Sequence, residues 1–496
     1  MKKKGFVLLL ALTVMFTMCF GTASVYAAEG TAITTAEELK AMESNPSGSY
    51  YLANDIDVPA NLTMFTEYEN PFTGSLDGNG YKLNGYSYTA SNWVESAALF
   101  VYAEGASFKN INMSNVKMSL NGCVQAAALC AFATDCSFKD IKLSGKLASN
   151  GAASIAGVLG YGYNGNTKLT SIKNSASIEI KNAAARSSAA GVAGFLDGNA
   201  VLEKCTNSAD ISISGPLDVE EDLSAAGIAI YASKLTSCTN SGDVSINANG
   251  NTIMTDAISA AGVVTKCSGK LTSCVNKGKV KLTANVTSVE PASVAGVAGE
   301  CAEITKSANR GSVSFSGKAE RGGYVGGLAA SATKVSQSYN KAAVSAKLSK
   351  NGRVDVYAGG ICGQVSDMRN SYNTGAVTLN GAGYVGGLAG HAYTVGERVM
   401  NNYTTGKISS SNGATKGQVI GYYEGSQISE KRNIYNNYYT KSGKAYGAAA
   451  VTWKDWTAKA KKVSSVKAST CPKLSSKYWK YSSKFGRMIL KNNGEK

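Results

Sequence analysis

Residues 356–380 read VYAGGICGQVSDMRNSYNTGAVTLN, and residues 383–411 repeat the plan as GYVGGLAGHAYTVGERVMNNYTTGKISSS. Each copy opens on a Gly-rich apolar run. A large apolar residue follows, then an Asn or Thr, then a small residue and a Val or Ile. Working outward, seven repeats carry the Asn: Asn174, Asn207, Asn240, Asn276, Asn309, Asn340 and Asn373, with Thr404 in that place in the eighth. Five positions earlier stands Leu169, Leu202, Leu235, Leu271, Ile304, Val335, Met368 or Val399, and Phe108 and Phe138 extend the column upstream. Members of this column lie 30 to 36 positions apart.

Two places before the Asn runs a second column: Ile111, Ile141, Ile172, then Cys205, Cys238, Cys274, then Ser307, Ser338, Ser371 and Asn402. Like residues follow like, which predicts that neighbours stack. After the Asn come alternating apolar pairs such as Ile178/Ile180 and Val280/Leu282. Alternation with a period of two marks a strand with one buried face. Three short strands per repeat, joined by Asn/Gly/Ser turns, cannot bury an apolar face alone but can when stacked. The expected fold is all-β: a right-handed parallel β-helix of about ten coils, ~4.8 Å apart. A helical solenoid is excluded by the period and by the Gly and β-branched content. The run TAITTAEELKAMES predicts a short N-terminal capping helix, with Thr35 and Glu38 as its capping box. The expected organisation is a leader at 1–28, an N-terminal cap and first strands at 29–97, repeats at 98–440, and a basic, aromatic C-terminal cap at 441–496.

The strings YVGGLAGHAY, YVGGLAASAT and YAGGICGQV, each followed by an SYN- or NYT-type strand, resemble the GLUG repeats of secreted bacterial surface proteins with a pectin-lyase-like β-helix. The opening, with YYLANDIDV and FTGSLDGNGYKLNG, is similar too. The resemblance spans roughly Ile33 to Tyr439 and implies the architecture more than a function. Such repeats occur in adhesin-like proteins and beside the catalytic domains of some secreted metallopeptidases. AAGIAIYAS and AAGVVTKCS lack the second glycine of the motif.

The first residues set the address. Lys2 to Lys4, the apolar run Phe6–Phe20 and the small residues around Ala27-Ala28 form a secretory signal peptide. No transmembrane segment is expected in the mature chain. Of 11 Cys, Cys19 leaves with the leader, and the in-register trio Cys205, Cys238 and Cys274 reads as stacked, reduced thiols. The chain carries +16, of which the leader holds three lysines. Residues 441–496 hold 13 Lys and Arg487 against Asp455 and Glu495, so nearly all the mature excess lies there.

The chemistry on offer is thin. One histidine, His391, leaves no H-E-x-x-H pair, and no G-x-S-x-G elbow accompanies it. His391 itself sits within the GGLAGHAY strand and reads as a turn or surface residue. Asp210 and Asp243 hold the same place on adjacent coils, with Lys279 next, and are the candidate catalytic carboxylates of a secreted polysaccharide lyase or glycoside hydrolase. The acidic run Asp218, Glu220, Glu221, Asp222 reads as a solvated loop, since its spacing matches no calcium motif. No metal or cofactor is expected. Tyr339, Tyr372 and Tyr403 precede the repeat Asn or Thr and form a candidate outward ligand-binding row, the alternative being that the rings pack on each other at a corner and add cross-strand stability. Lys459, Lys461, Lys462 and Lys484 are candidate contacts to an anionic surface. The leading expectation is a non-catalytic, secreted or surface-associated, adhesin-like protein that binds a glycan, an anionic cell-wall polymer or a protein. The carbohydrate-active enzyme is the alternative, and nucleic acid is not an expected partner.

Overall fold

The computed structural model describes residues 30–163, 165–183, 186–216, 222–254, 257–288, 291–318, 321–350, 354–393, 397–425, 434–451, 459–493 and 495. The leader and the acidic residues Asp218, Glu220 and Glu221 lie outside the described residues, as do Trp453, Asp455 and Trp456. The chain is a parallel β-solenoid of about eleven turns, one more than the repeat count predicts. A short helix at Ala36–Ala41 stands at its N-terminal end, capped reciprocally by Thr35 and Glu38. It buries Leu39 and is followed by the buried Met42.

Each turn has three faces. The glycine face is an eleven-stranded parallel sheet running from Val94–Ala97 to Ala414–Gly417. A tight corner leads to the second face, where the large apolar column stacks in register: Phe108 on Phe138, Phe138 on Leu169, Leu169 on Leu202. Every member of this column is at most 1% exposed, which makes it the spine of the core. A single residue in the left-handed region, from Ser171 (φ 58°) to Asn401 (φ 59°), then turns the chain once per coil. The third face carries the Asn strand and the alternating pairs.

The two most repeated features of the sequence touch each other inside the solenoid. Asn174 donates through Nδ2 to Oδ1 of Asn207 at 2.8 Å, and the chain of amides continues through Asn240, Asn276, Asn309 and Asn340 to Asn373. Each amide also donates to the carbonyl two residues on, as Asn240 does to Gly242 at 2.8 Å. The corner glycine sits directly over the amide. A Cβ on Gly227 would lie 2.3 Å from Cγ of Asn240, and one on Gly262 equally close to Asn276. Glycine is required there for this close approach. Buried polar groups paired this completely add order to the stack.

The C-terminal segment begins as the last coil. Tyr446–Val451 pairs with Ile420–Gly425, and Ala460–Lys462 with Asn437–Tyr439. It then folds back along the flank. Val463, Val466, Leu474, Trp479, Met488 and Leu490 form a second apolar cluster with the tyrosines of the Asn strands. Asn493 reaches the carbonyls of Ser307 and Gln337.

Candidate functional site

The predicted site residues are not brought together. Asp210 is exposed and the Asp243 side chain is 47% exposed. Each carboxylate accepts the backbone N–H one coil on: Asp210 from Asp243 at 2.9 Å, Asp243 from Lys279 at 2.8 Å. They form an outward ladder that ties turns together. Tyr339, Tyr372 and Tyr403 do stack, with ring centroids 5.1 and 4.8 Å apart, and they do point away from the interior. All three are 0% exposed, because the returning C-terminal segment lays Trp479 against Tyr372 and Tyr403. Their hydroxyls meet Arg310, Glu495 and the Met488 carbonyl, so this row presents no surface to a ligand. Lys459, Lys461, Lys462 and Lys484 are exposed. Cys205, Cys238 and Cys274 are buried, and the ten described cysteines are all free.

His391 is no turn residue. It lies in the strand Ala389–Tyr393 at 8% exposure, stacked on Tyr357 at 4.9 Å and beside Tyr422 at 5.1 Å. Burial pushes its imidazole down to about 4. It faces the concave corner between the glycine face and the second face, and that corner proves to be the notable surface of the molecule.

Two outward columns flank the corner along its length. On the glycine face they run Ser154, Ser188, Ser224, Ser259, Ser293, then Tyr324, Tyr357 and Tyr384. On the second face they run Tyr102, Phe132, Tyr161, Phe195, Tyr231, then Lys266, Glu300, Ser331, Gln364 and His391. Toward the C-terminal end both columns are aromatic and close on each other: Tyr384 meets Tyr422 at 4.9 Å. Toward the N-terminal end the aromatics face serines, and the corner stays open.

The open part is a trough of about 540 Å³. That lies within the usual size of a binding cleft. Phe132, Tyr161, Tyr163 and Phe195 form one wall, Ser154 and Ser188 the other, with Trp93, Val124 and Arg186 at the rim. Trp93 is 62% exposed, Val124 49% and Tyr163 41%, a concentration of exposed apolar surface that marks an interaction site. Tyr102 stacks on Phe132 at 5.2 Å, Phe132 on Tyr163 at 5.9 Å, and Tyr161 on Phe195 at 6.2 Å. The guanidinium of Arg186 lies 5.8 Å from the Phe195 ring. Burial, then the hydrogen bond to Asp197, push the Tyr161 phenol up to about 12. This row was missed in the sequence, although a signal exists. An aromatic stands two places after the first corner residue of the second face in five successive turns, as in Phe100/Tyr102, Cys130/Phe132, Leu159/Tyr161, Ala193/Phe195 and Ala229/Tyr231.

Residues 25–145 match the family model of the M26 IgA1-specific metallo-endopeptidase N-terminal region, about a quarter of the chain. No curated protein matches the sequence. Among solved structures, an IgA1 protease superposes at a TM-score of 0.36 and 18% identity, over 56% of this chain and 21% of that one. The chain thus spans about a fifth of that protein's length. A candidate immunoglobulin A1 protease from Bacteroides ovatus superposes at a TM-score of 0.21 and 14% identity, over 93% of this chain and 94% of the other.

The family match overturns two expectations. It points to a peptidase family, where the sequence reading pointed to a non-catalytic adhesin-like protein or, failing that, a carbohydrate-active enzyme. The metal that such a family name implies does not fit this chain's donors. A catalytic zinc site takes about three protein ligands, commonly paired histidines. The sequence holds one histidine, whose Nε2 lies 3.7 Å from Glu424 Oε2 inside an aromatic cluster. Among the described residues no group of three His, Cys, Asp or Glu side chains is placed to hold an ion.

Proposed function

We propose that the chain acts in an immunoglobulin-cleaving peptidase system of the M26 kind, as the solenoid that engages the immunoglobulin. The observation that carries this reading is the match of residues 25–145 to the M26 N-terminal region. The donor set sets one condition on such chemistry: with a single histidine the chain lacks the paired zinc ligands of H-E-x-x-H. The leader at residues 1–28 supports export, and the GLUG-like strings agree, since such repeats also stand beside catalytic domains of secreted metallopeptidases. The open aromatic trough, lined in part by the matched residues Trp93, Val124, Gln125 and Phe132, is the surface that suits a protein partner.

The test is to immobilise the mature chain and pass purified immunoglobulin A1 over it, with immunoglobulin G as the control and zinc supplied throughout. Retention of intact immunoglobulin A1 is the expected result. Failure to retain it would overturn the reading. Cleavage of immunoglobulin A1 by the isolated chain would place the hydrolysis in these residues as well.

A further inference from the structure

The trough contains one feature that its apolar walls do not explain. Gln125 lies in the strand Cys123–Ala127 and is 4% exposed. Its Nε2 has no hydrogen-bond partner among the described residues. A buried amide donor without a partner is costly to the free protein, and such a group calls for a reason. The backbone supplies the local cause. The register between Cys123–Ala127 and Ala153–Ala156 slips between Cys123 and Ala126. Two residues, Val124 and Gln125, are thereby set against Ser154. A bulge of this kind re-aims a side chain. Here it turns Val124 out to the rim and Gln125 into the trough. Gly160 and Gly194 keep the space clear: Cβ atoms there would stand 2.7 and 3.3 Å from Nε2.

We propose that the trough holds an extended, uncharged protein segment, with apolar side chains against Phe132, Tyr161 and Trp93 and a main-chain carbonyl accepting from Gln125 Nε2 once the amide swings out from over Gly160 and Gly194. This rests on the reading above only in taking the partner to be a protein. Length, charge and hydrogen-bonding capacity each favour that occupant. The trough spans three turns, about 10 Å at ~4.8 Å per turn, which is the reach of about three extended residues. The walls, Phe132, Tyr161, Tyr163 and Phe195 against Ser154 and Ser188, present no charged side chain, and the guanidinium of Arg186 lies against Phe195 at the rim. Among the described lining residues, the buried polar group without a partner is a donor, which suits a peptide carbonyl. A sugar ring would bring several hydroxyls, each needing a partner, yet Ser154 and Ser188 already bond each other at 2.7 Å.

The experiment uses the mature chain and the variants Trp93→Ala and Gln125→Leu. The probes are dye-labelled, end-blocked tetrapeptides of Leu, Val and Phe, the same peptides with a central Asp or Lys, and maltotetraose and chitotetraose. Immunoglobulin A1 is run beside them. Trp93 is largely exposed, so its replacement leaves the fold intact, and circular dichroism checks both variants. The expected result is binding of the uncharged peptides, weakened at least tenfold by either substitution and by the central charge. Binding of the sugars but not the peptides overturns the proposal, as does no peptide binding at all, or peptide binding unchanged in both variants. Immunoglobulin A1 retained equally by both variants also overturns it, and leaves the family reading standing. Peptide binding that is lost in the variants, with no immunoglobulin A1 retained, supports the trough and overturns the family reading.

Discussion

Gln125 lies across the backbone of Gly160 so closely that a Cβ at position 160 would stand 2.7 Å from the Gln125 amide nitrogen. The same Cβ would meet the Ala131 carbonyl at 2.6 Å. The carbonyl belongs to the strand below and cannot give way cheaply, whereas the glutamine can swing. Gly160→Ala is therefore expected to cost about 1–3 kcal/mol from crowding and to displace Gln125 into the trough. Gln125→Leu removes a buried donor that has no partner, so it should keep or raise the melting temperature. Thermal unfolding of the two variants checks this. A melting temperature that falls in Gln125→Leu would mean the amide is satisfied in the free protein.

The Asn ladder predicts a dependence on position. Asn240 receives from Asn207 and donates to Asn276 and Gly242, while Asn174 donates on to Asn207 at the head of the chain of amides. Asn240→Ala leaves buried groups unpaired on both sides, at about 1–3 kcal/mol for each. Asn174→Ala leaves them on one side. Denaturant melts should show the larger loss for Asn240→Ala, and equal losses would show that the amides do not act as a chain.

Trp479 is 1% exposed, and its Nε1 donates to Asn370 at 3.4 Å. It is the largest side chain that the returning segment lays on the tyrosine row. Trp479→Ala should cost about 3–5 kcal/mol, concentrated on that flank. Limited proteolysis should then cut between Val463 and Leu490, while the β-rich circular dichroism of the solenoid persists. A segment that stays resistant to protease would show that the ion pairs of Glu495 with Lys341 and Arg487 suffice to hold it.

His391 carries a pH dependence whose sign follows from its burial. Its folded imidazole titrates at about 4, against about 6.5 in an unfolded chain. As pH falls the unfolded state takes up the proton first. The stability tied to this residue is therefore complete above pH ~6.5 and is lost progressively toward pH ~4, at most about 3 kcal/mol. The nearby Glu424 carboxylate, 3.7 Å away, works against the shift and reduces the figure. His391→Gln should flatten the fall in melting temperature between pH 7 and 4.5. An unchanged slope would assign the acid sensitivity to carboxylates instead.

The repeat Asn, the apolar column five places before it and the alternating pairs were enough to derive a parallel solenoid, because a stacked coil repeats its neighbours' environment. Each column in the sequence is a column in space, so periodicity alone determined register, core and the amide ladder. The same reasoning put Asp210 and Asp243, and Tyr339, Tyr372 and Tyr403, on the side of their strands that faces away from the interior. It could not say what covers that side. The burial of the tyrosines depends on Trp479 and Glu495, which lie 76 to 156 positions farther along a segment that has left the repeat. Tertiary structure alone decided that this tail runs back along the flank. It also decided that aromatics closing on aromatics fill one end of the corner, while aromatics facing serines leave the other end open. Whether a corner is filled depends on the summed size of two side chains brought together from different strands, and neither strand's pattern contains that sum.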